Sequence, residues 1–194
     1  MSFMGSIETY HDRLITVFKQ NQSVVEIGVQ ELAAAILEMR DLDKHVWIIG
    51  NGGSASTAEH FETDLSFVKL EAVAMLPNVA AITANSALVT AVSNDVSYSK
   101  LFETILVRKV RSGDLLICIS ASGNSYNIIN AISIAKSRGV RTFSLLGFDG
   151  GEASFESDQS IIVNTNQGEY GIVEDIHLSI CHAVSTLIRE KLMN

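Results

Sequence analysis

Proline and cysteine are scarce in this chain, with one and two residues respectively in 194. Cys118 falls in an apolar run and Cys181 in a helical pattern, and two such residues build neither a disulfide framework nor a zinc ribbon. Long apolar runs are also missing: none approaches the ~20 residues of a membrane span, so no membrane partner is expected. Positive charge is in deficit, with 14 Lys and Arg against 22 Asp and Glu, a net charge of −8 and a pI near 5.0. A general nucleic-acid binder needs a basic surface to neutralise phosphates, so direct nucleic-acid binding is not expected. The densest basic cluster, Lys100, Arg108, Lys109 and Arg111, reads as a solvated helix face. Residues 1–6 have no basic stretch leading into an apolar core, so no secretory signal is expected and the location is read as cytoplasmic. Solenoid repeats, low-complexity tracts and linkers are absent, which leaves one domain over residues 1–194, long enough to bury a substantial core.

The stretch from His45 to Leu65 organises what is present. Val46, Trp47, Ile48 and Ile49 form a short apolar run of the kind buried on both faces of a sheet, followed at once by Gly50-Asn51-Gly52-Gly53-Ser54. Ser54 stands where a helix N-cap hydroxyl would stand, and the small residues after it let a ligand approach the amides at the helix's positive end. Four residues apart on that helix, His60 and Asp64 project from one face.

Helix-period blocks over roughly 7–19 and 23–39, separated by Asn21-Gln22, predict two helices before the sheet. The stripe Val25, Val29, Leu32, Ala35, Ile36 and Met39 needs a partner surface, either its own domain or another copy, and Gly28 on the same face permits close approach. Further strands are expected at 79–83, 114–119, 141–146 and 159–163. Helices are expected at 86–92, 98–110, from the serine loop to about 136, and from about 173 to 193. Alternating strands and helices with short loops imply an α/β fold. It would be a doubly wound five-stranded parallel sheet in a three-layer, flavodoxin-like sandwich, with ligands at the carboxyl ends of the strands.

Two strand-to-helix loops carry the chemistry. Ser120-Ala121-Ser122-Gly123-Asn124-Ser125 puts three hydroxyls where a helix N-terminus adds amide donors, a trap for one phosphate monoester. Gly50 to Ala55 also fits a dinucleotide fingerprint, with Glu71 as the ribose contact, but that reading leaves the serine loop without a role. On the last helix, Glu174, Asp175, His177 and His182 add carboxylates and imidazoles. With His60 and Asp64 they offer the groups that a divalent metal or an acid–base pair needs.

These residues resemble the sugar isomerase (SIS) superfamily and, within it, the phosphoheptose isomerases. The matching motifs are G-N-G-G-S-A followed by Ala58-Glu59-His60-Phe61, Ser93-Asn94-Asp95, S-A-S-G-N-S, G-F-D-G-G, and E-D-I-H with His182. The resemblance implies an aldose–ketose isomerase of a sugar phosphate, converting sedoheptulose 7-phosphate to glycero-manno-heptose 7-phosphate through an enediol. It also implies a homotetramer with sites at subunit interfaces. Substrate-binding residues would be Asn51, Gly52, Gly53, Ser54, Asn94, Asp95, Ser120, Ala121, Ser122 and Ser125. Asp64, Glu174 and His182 would be catalytic, and zinc or another divalent metal would lie between His60, Asp64, Glu174 and His182. Asp64 and Glu174 stand where the isomerases usually have Glu and Gln. Val68, with Lys69 adjacent, replaces a usual arginine, and Asn85 stands where Asp is frequent. The alternative is a non-catalytic SIS adaptor, similar to the DnaA-associating initiator protein.

Overall fold

The computed structural model describes residues 7–66 and 78–193. Pro77 and the residues Val68, Lys69 and Glu71 singled out above lie outside that set.

Five strands form one all-parallel sheet in the order β2-β1-β3-β4-β5. They are β1 (Val46–Gly50), β2 (Val79–Ala81), β3 (Leu115–Ser120), β4 (Arg141–Gly147) and β5 (Gln159–Val163). Side chains alternate across each strand. Val46 and Ile48 therefore join the core under α1 (Ile7–Asp41), α2 (Gly53–Ser66) and α7 (Tyr170–Met193). Trp47 and Ile49 join the core under α4 (Leu101–Lys109) and α5 (Tyr126–Ser137). This is the expected doubly wound, three-layer arrangement, and the apolar runs are explained by burial on both faces.

Several boundaries differ from the sequence expectation. The two N-terminal helices are a single helix of 35 residues, α1. Asn21, read as a break, is buried in its middle: its Nδ2 donates to Val17 O at 2.9 Å and to Asn164 O at 3.0 Å, and its Oδ1 accepts from Asn164 N at 2.8 Å. An amide that satisfies itself against the end of a neighbouring strand does not interrupt a helix. The second strand stops at Ala81 and gives way to a 3-10 turn over Ile82–Ala84. Helix α3 runs on to Asp95 (Ser86–Asp95), so Asn94 and Asp95 end a helix instead of forming a turn after one. A 3-10 turn, Tyr98–Lys100, precedes α4, and a short helix α6 (Ala153–Glu156) was not foreseen.

The α1 stripe packs within its own chain. Val25, Val29, Leu32, Ala35, Ile36 and Met39 are buried with α7 and the sheet, and a β-carbon on Gly28 would overlap the Ile161 side chain of β5. Helix α7 is long and apolar enough to cross a membrane, but half of its most apolar window is buried inside the fold. It is a core helix in this arrangement.

Candidate active site

The strand order reverses between β1 and β3, and ligands of open α/β sheets bind at such switch points, beyond the carboxyl ends of the strands. The loops leaving these two strands are the glycine loop and the serine loop. Between them lies a cleft with about 340 Å³ of free space, lined by Asn51, Ser54, Ser120, Ala121, Ser122, Ser125, Tyr170 and Glu174, with Ile119 beneath. Six residues expected to bind substrate thus line one cleft, joined by Glu174 from α7. Gly52 and Gly53 belong to the first loop but do not line the cleft. Glu174 lies so close to Gly53 that a β-carbon there would overlap its carboxylate.

The serine loop is rigidly built. Ser120 Oγ accepts from Gly123 N at 3.1 Å and Ser122 Oγ from Asn124 N at 3.3 Å. Gly123, at φ +63°, has no room for a β-carbon because the backbone of Gly150 and Gly151 passes against it. The following G-F-D-G-G loop ties itself on through Gly147 N to Ala121 O (3.1 Å), Ala153 N to Gly123 O (2.9 Å) and Glu152 N to Asn124 Oδ1 (3.0 Å). Binding these carbonyls backwards leaves the serine hydroxyls and the α5 amides for an anion in the cleft.

On the other side of the cleft, the Asn51 carboxamide forms a reciprocal pair with the buried Asn127, each Nδ2 donating to the other's Oδ1 at 2.9 Å. Tyr98 Oη also donates to Asn51 Oδ1, at 2.7 Å.

Further along α2 and α7, His60, Asp64 and His182 converge. The two Nε2 atoms are 3.0 Å apart, and Asp64 Oδ1 and Oδ2 lie 3.7 Å and 3.8 Å from them. One ligand atom from each residue lies within 4.8 Å of those of the other two. Adjacent ligands of a tetrahedral zinc stand on the order of 3.3 Å apart, given bonds of 2.0–2.2 Å, so this donor set fits a divalent ion. Glu174, expected as a fourth ligand, is not in this cluster. Eight residues of helix separate it from His182, roughly 12 Å along the axis, and it faces the serine loop instead. Asp175, next to it, accepts from Tyr10 Oη at 2.7 Å. Burial and then that carboxylate push the Tyr10 pKa up to about 12, so Tyr10 is a neutral donor.

Asn94 and Asp95 are exposed at the end of α3 and do not line the cleft, Asn94 Nδ2 donating to Asp95 Oδ1 at 2.8 Å. Asn85 caps α3 by accepting from Leu88 N at 3.0 Å. His177 is fully buried with neither ring nitrogen in hydrogen-bond geometry, and burial pushes its pKa down to about 4, the Leu146 backbone compensating only in part. Tyr98, Asn127 and Tyr170 were not anticipated. Asn127 on an apolar helix face was the one available signal, because a buried amide requires a partner.

Fold and cleft together define a class: a doubly wound α/β ligand-binding domain with an anion cradle at its switch point. Residues 9–147 match the SIS domain family. Phosphoheptose isomerase from Chlorobium phaeobacteroides is 34% identical over 186 residues, covering 95% of this chain and 80% of that protein. The structure of phosphoheptose isomerase from Neisseria gonorrhoeae superposes with a TM-score of 0.84 at 26% identity, covering 94% of this chain and 96% of that one. That of a phosphoheptose isomerase from Francisella tularensis gives 0.88 at 24% identity over 98% and 100% of the two chains, a likeness of fold. The chain belongs to the SIS domain family, among the phosphoheptose isomerases.

Proposed function

We propose that this chain is a cytoplasmic aldose–ketose isomerase of a sugar phosphate, interconverting sedoheptulose 7-phosphate and glycero-manno-heptose 7-phosphate. The observation that carries the reading is the pairing of two features on shared helices. A hydroxyl-lined anion cleft stands at the start of α2 and α7, and a His–Asp–His cluster stands about two turns further along both. An adaptor protein would have no use for the second.

The phosphate rests on Ser120, Ser122 and Ser125 and the amides of α5, with Ser54 at the start of α2 opposite. Holding the phosphate at one end directs the carbon chain along α2 and α7 toward His60, Asp64 and His182, and fixing that geometry accounts for part of the rate enhancement. Asp64 removes the proton from the carbon beside the carbonyl, and His182, with no metal on its Nε2, gives a proton to the oxygen, yielding the enediol. Asp64 then returns its proton to the former carbonyl carbon while the other enediol hydroxyl gives its proton back to His182 and becomes the new carbonyl, and each transfer contributes roughly 10²–10⁴-fold. Glu174, lining the cleft, meets the sugar hydroxyls. His60, Asp64 and His182 would hold a divalent metal, zinc suiting the two nitrogens and one oxygen. When bound, the ion would occupy the His182 Nε2 lone pair and supply, in place of that proton, a positive charge that polarises the carbonyl oxygen.

The working unit is a homotetramer. Ile15, Phe18, Val24 and Ile27 remain exposed on α1 and suit burial against further copies. Asn94 and Asp95, outside the cleft of their own chain, would reach a site across such an interface. Turnover of sedoheptulose 7-phosphate by purified protein, with and without added zinc, tests the activity, and sedimentation tests the assembly. A protein that binds the sugar phosphate but leaves it unchanged under both conditions is an adaptor.

A further inference from the structure

A carboxamide has four hydrogen-bonding positions: two lone pairs on oxygen and two N–H bonds. At Asn51 three are spent inside the protein. Asn127 Nδ2 and Tyr98 Oη fill both lone pairs, and one N–H goes to Asn127 Oδ1. In a reciprocal amide pair the N–H on the same side as the oxygen is the one used, so the remaining N–H is directed away from Asn127. Asn51 also lines the cleft.

The 2.7 Å separation between Tyr98 and Asn51 fixes which way round the pair lies. Turning both carboxamides over would keep them paired but bring nitrogen against Tyr98. The observed distance is the commonest one for an O–H···O bond and sits at the short edge of the N–H···O range, whose centre is near 2.9–3.0 Å. Tyr98 therefore chooses the orientation, and Asn127, only 2% exposed, holds the plane.

We propose that Tyr98 and Asn127 are positioning residues that fix Asn51 as a hydrogen-bond donor to an acceptor oxygen of the bound sugar phosphate. The proposal rests on the reading of the cleft as the sugar-phosphate site. Neither residue lines the cleft. Their effect passes through Asn51, whose carboxamide would otherwise offer a ligand either polarity.

The test compares Tyr98→Phe, Asn127→Leu and Asn127→Asp with wild type, using sedoheptulose 7-phosphate as substrate. Tyr98→Phe and Asn127→Leu are each expected to raise KM about 5- to 10-fold, the worth of one neutral hydrogen bond, with a smaller change in kcat. Asn127→Asp keeps an acceptor for Asn51 Nδ2 but sets a second acceptor oxygen against Asn51 Oδ1, so it opposes the orientation and is expected to raise KM at least as much as Asn127→Leu. A purely structural role for these residues lowers the thermal midpoint and leaves the KM of the folded variants at the wild-type value. Wild-type KM in Tyr98→Phe, or in both folded Asn127 variants, overturns the proposal. Should Asn127→Leu fail to fold, Tyr98→Phe, altered at a half-exposed side chain, decides alone. An active wild type with an unaffected Tyr98→Phe overturns this inference only, whereas a wild type that neither binds nor converts the substrate overturns the reading of the cleft as well.

Discussion

The Nε2 atoms of His60 and His182 face each other at 3.0 Å across 122 residues of sequence, with the Asp64 carboxylate beside both. In that position one imidazole donates to the other, or both turn lone pairs on a shared cation. Helices α2 and α7 are packed through Ala58, Phe61, Leu65, Ile180, Cys181 and Val184, so the meeting is set by the core beneath it.

Metal analysis after zinc supplementation and dialysis should find about one ion per chain. His60→Ala and His182→Ala should each lower that content sharply while leaving the fold intact, since both side chains are exposed. Unaltered content in both variants removes them from any metal site. Glu174→Gln, outside the cluster, should leave metal content unchanged.

The choice of base separates Asp64 from Glu174. Asp64→Asn should abolish turnover yet still bind substrate, because the amide keeps the shape but takes no proton. Glu174→Gln, at a cleft position facing the serine loop, should retain measurable activity with an altered KM. An inactive Glu174→Gln beside an active Asp64→Asn, measured by steady-state kinetics, transfers the base role to Glu174.

The serine loop should lose ligand affinity without unfolding. Replacing Ser120 and Ser122 together by alanine removes two hydroxyls from the cleft and two acceptors for the loop's own amides. The expected outcome is at least a 10-fold weaker calorimetric affinity for sedoheptulose 7-phosphate, with a thermal midpoint lowered by only a few degrees, as about 1 kcal/mol implies. Unchanged affinity would show that the phosphate binds elsewhere.

Gly28→Ala should destabilise the protein in spite of alanine's better helix propensity. The added methyl meets the fully buried Ile161 side chain, and overpacking costs typically 1–3 kcal/mol against a propensity gain of about 1. Urea unfolding measures the difference, and a stabilised variant would mean that α1 can lift from the sheet at little cost.

His177 makes stability depend on pH. Its pKa falls from 6.5 in the unfolded chain to about 4 in the fold, so between those values the unfolded chain binds the extra proton. The stabilisation is complete above pH 6.5 and is lost as pH falls toward 4, by up to about 3 kcal/mol. Glu169, held below the usual carboxylate range by its hydrogen bond from Arg13, contributes stability that is complete above pH 4.5 and is lost only as pH falls below it. His177→Leu should flatten the dependence between pH 4.5 and 7 in urea titrations. An unchanged slope assigns it to other groups.

Local pattern determined the layers of this protein. Short β-branched runs followed by glycine or serine loops read as doubly buried strands because a parallel sheet leaves no wet face, and all five strands lie where those runs fall. The loops at the ends of β1 and β3 could be named as a ligand cleft for the same reason: the chain leaves a strand and enters a helix there, and small polar residues do both. What depends on partners distant in sequence was not legible. Asn21 reads as a break until Asn164 is seen accepting from its Nδ2 and donating to its Oδ1, and the orientation of Asn51 is set by Asn127 and Tyr98, 76 and 47 residues away. The metal-capable cluster shows the same division. The spacing of His60 and Asp64 put them on one face, since a helix repeats every 3.6 residues. That His182 meets them and Glu174 does not was decided by the height and rotation at which α7 packs on α2, which no local sequence pattern encodes.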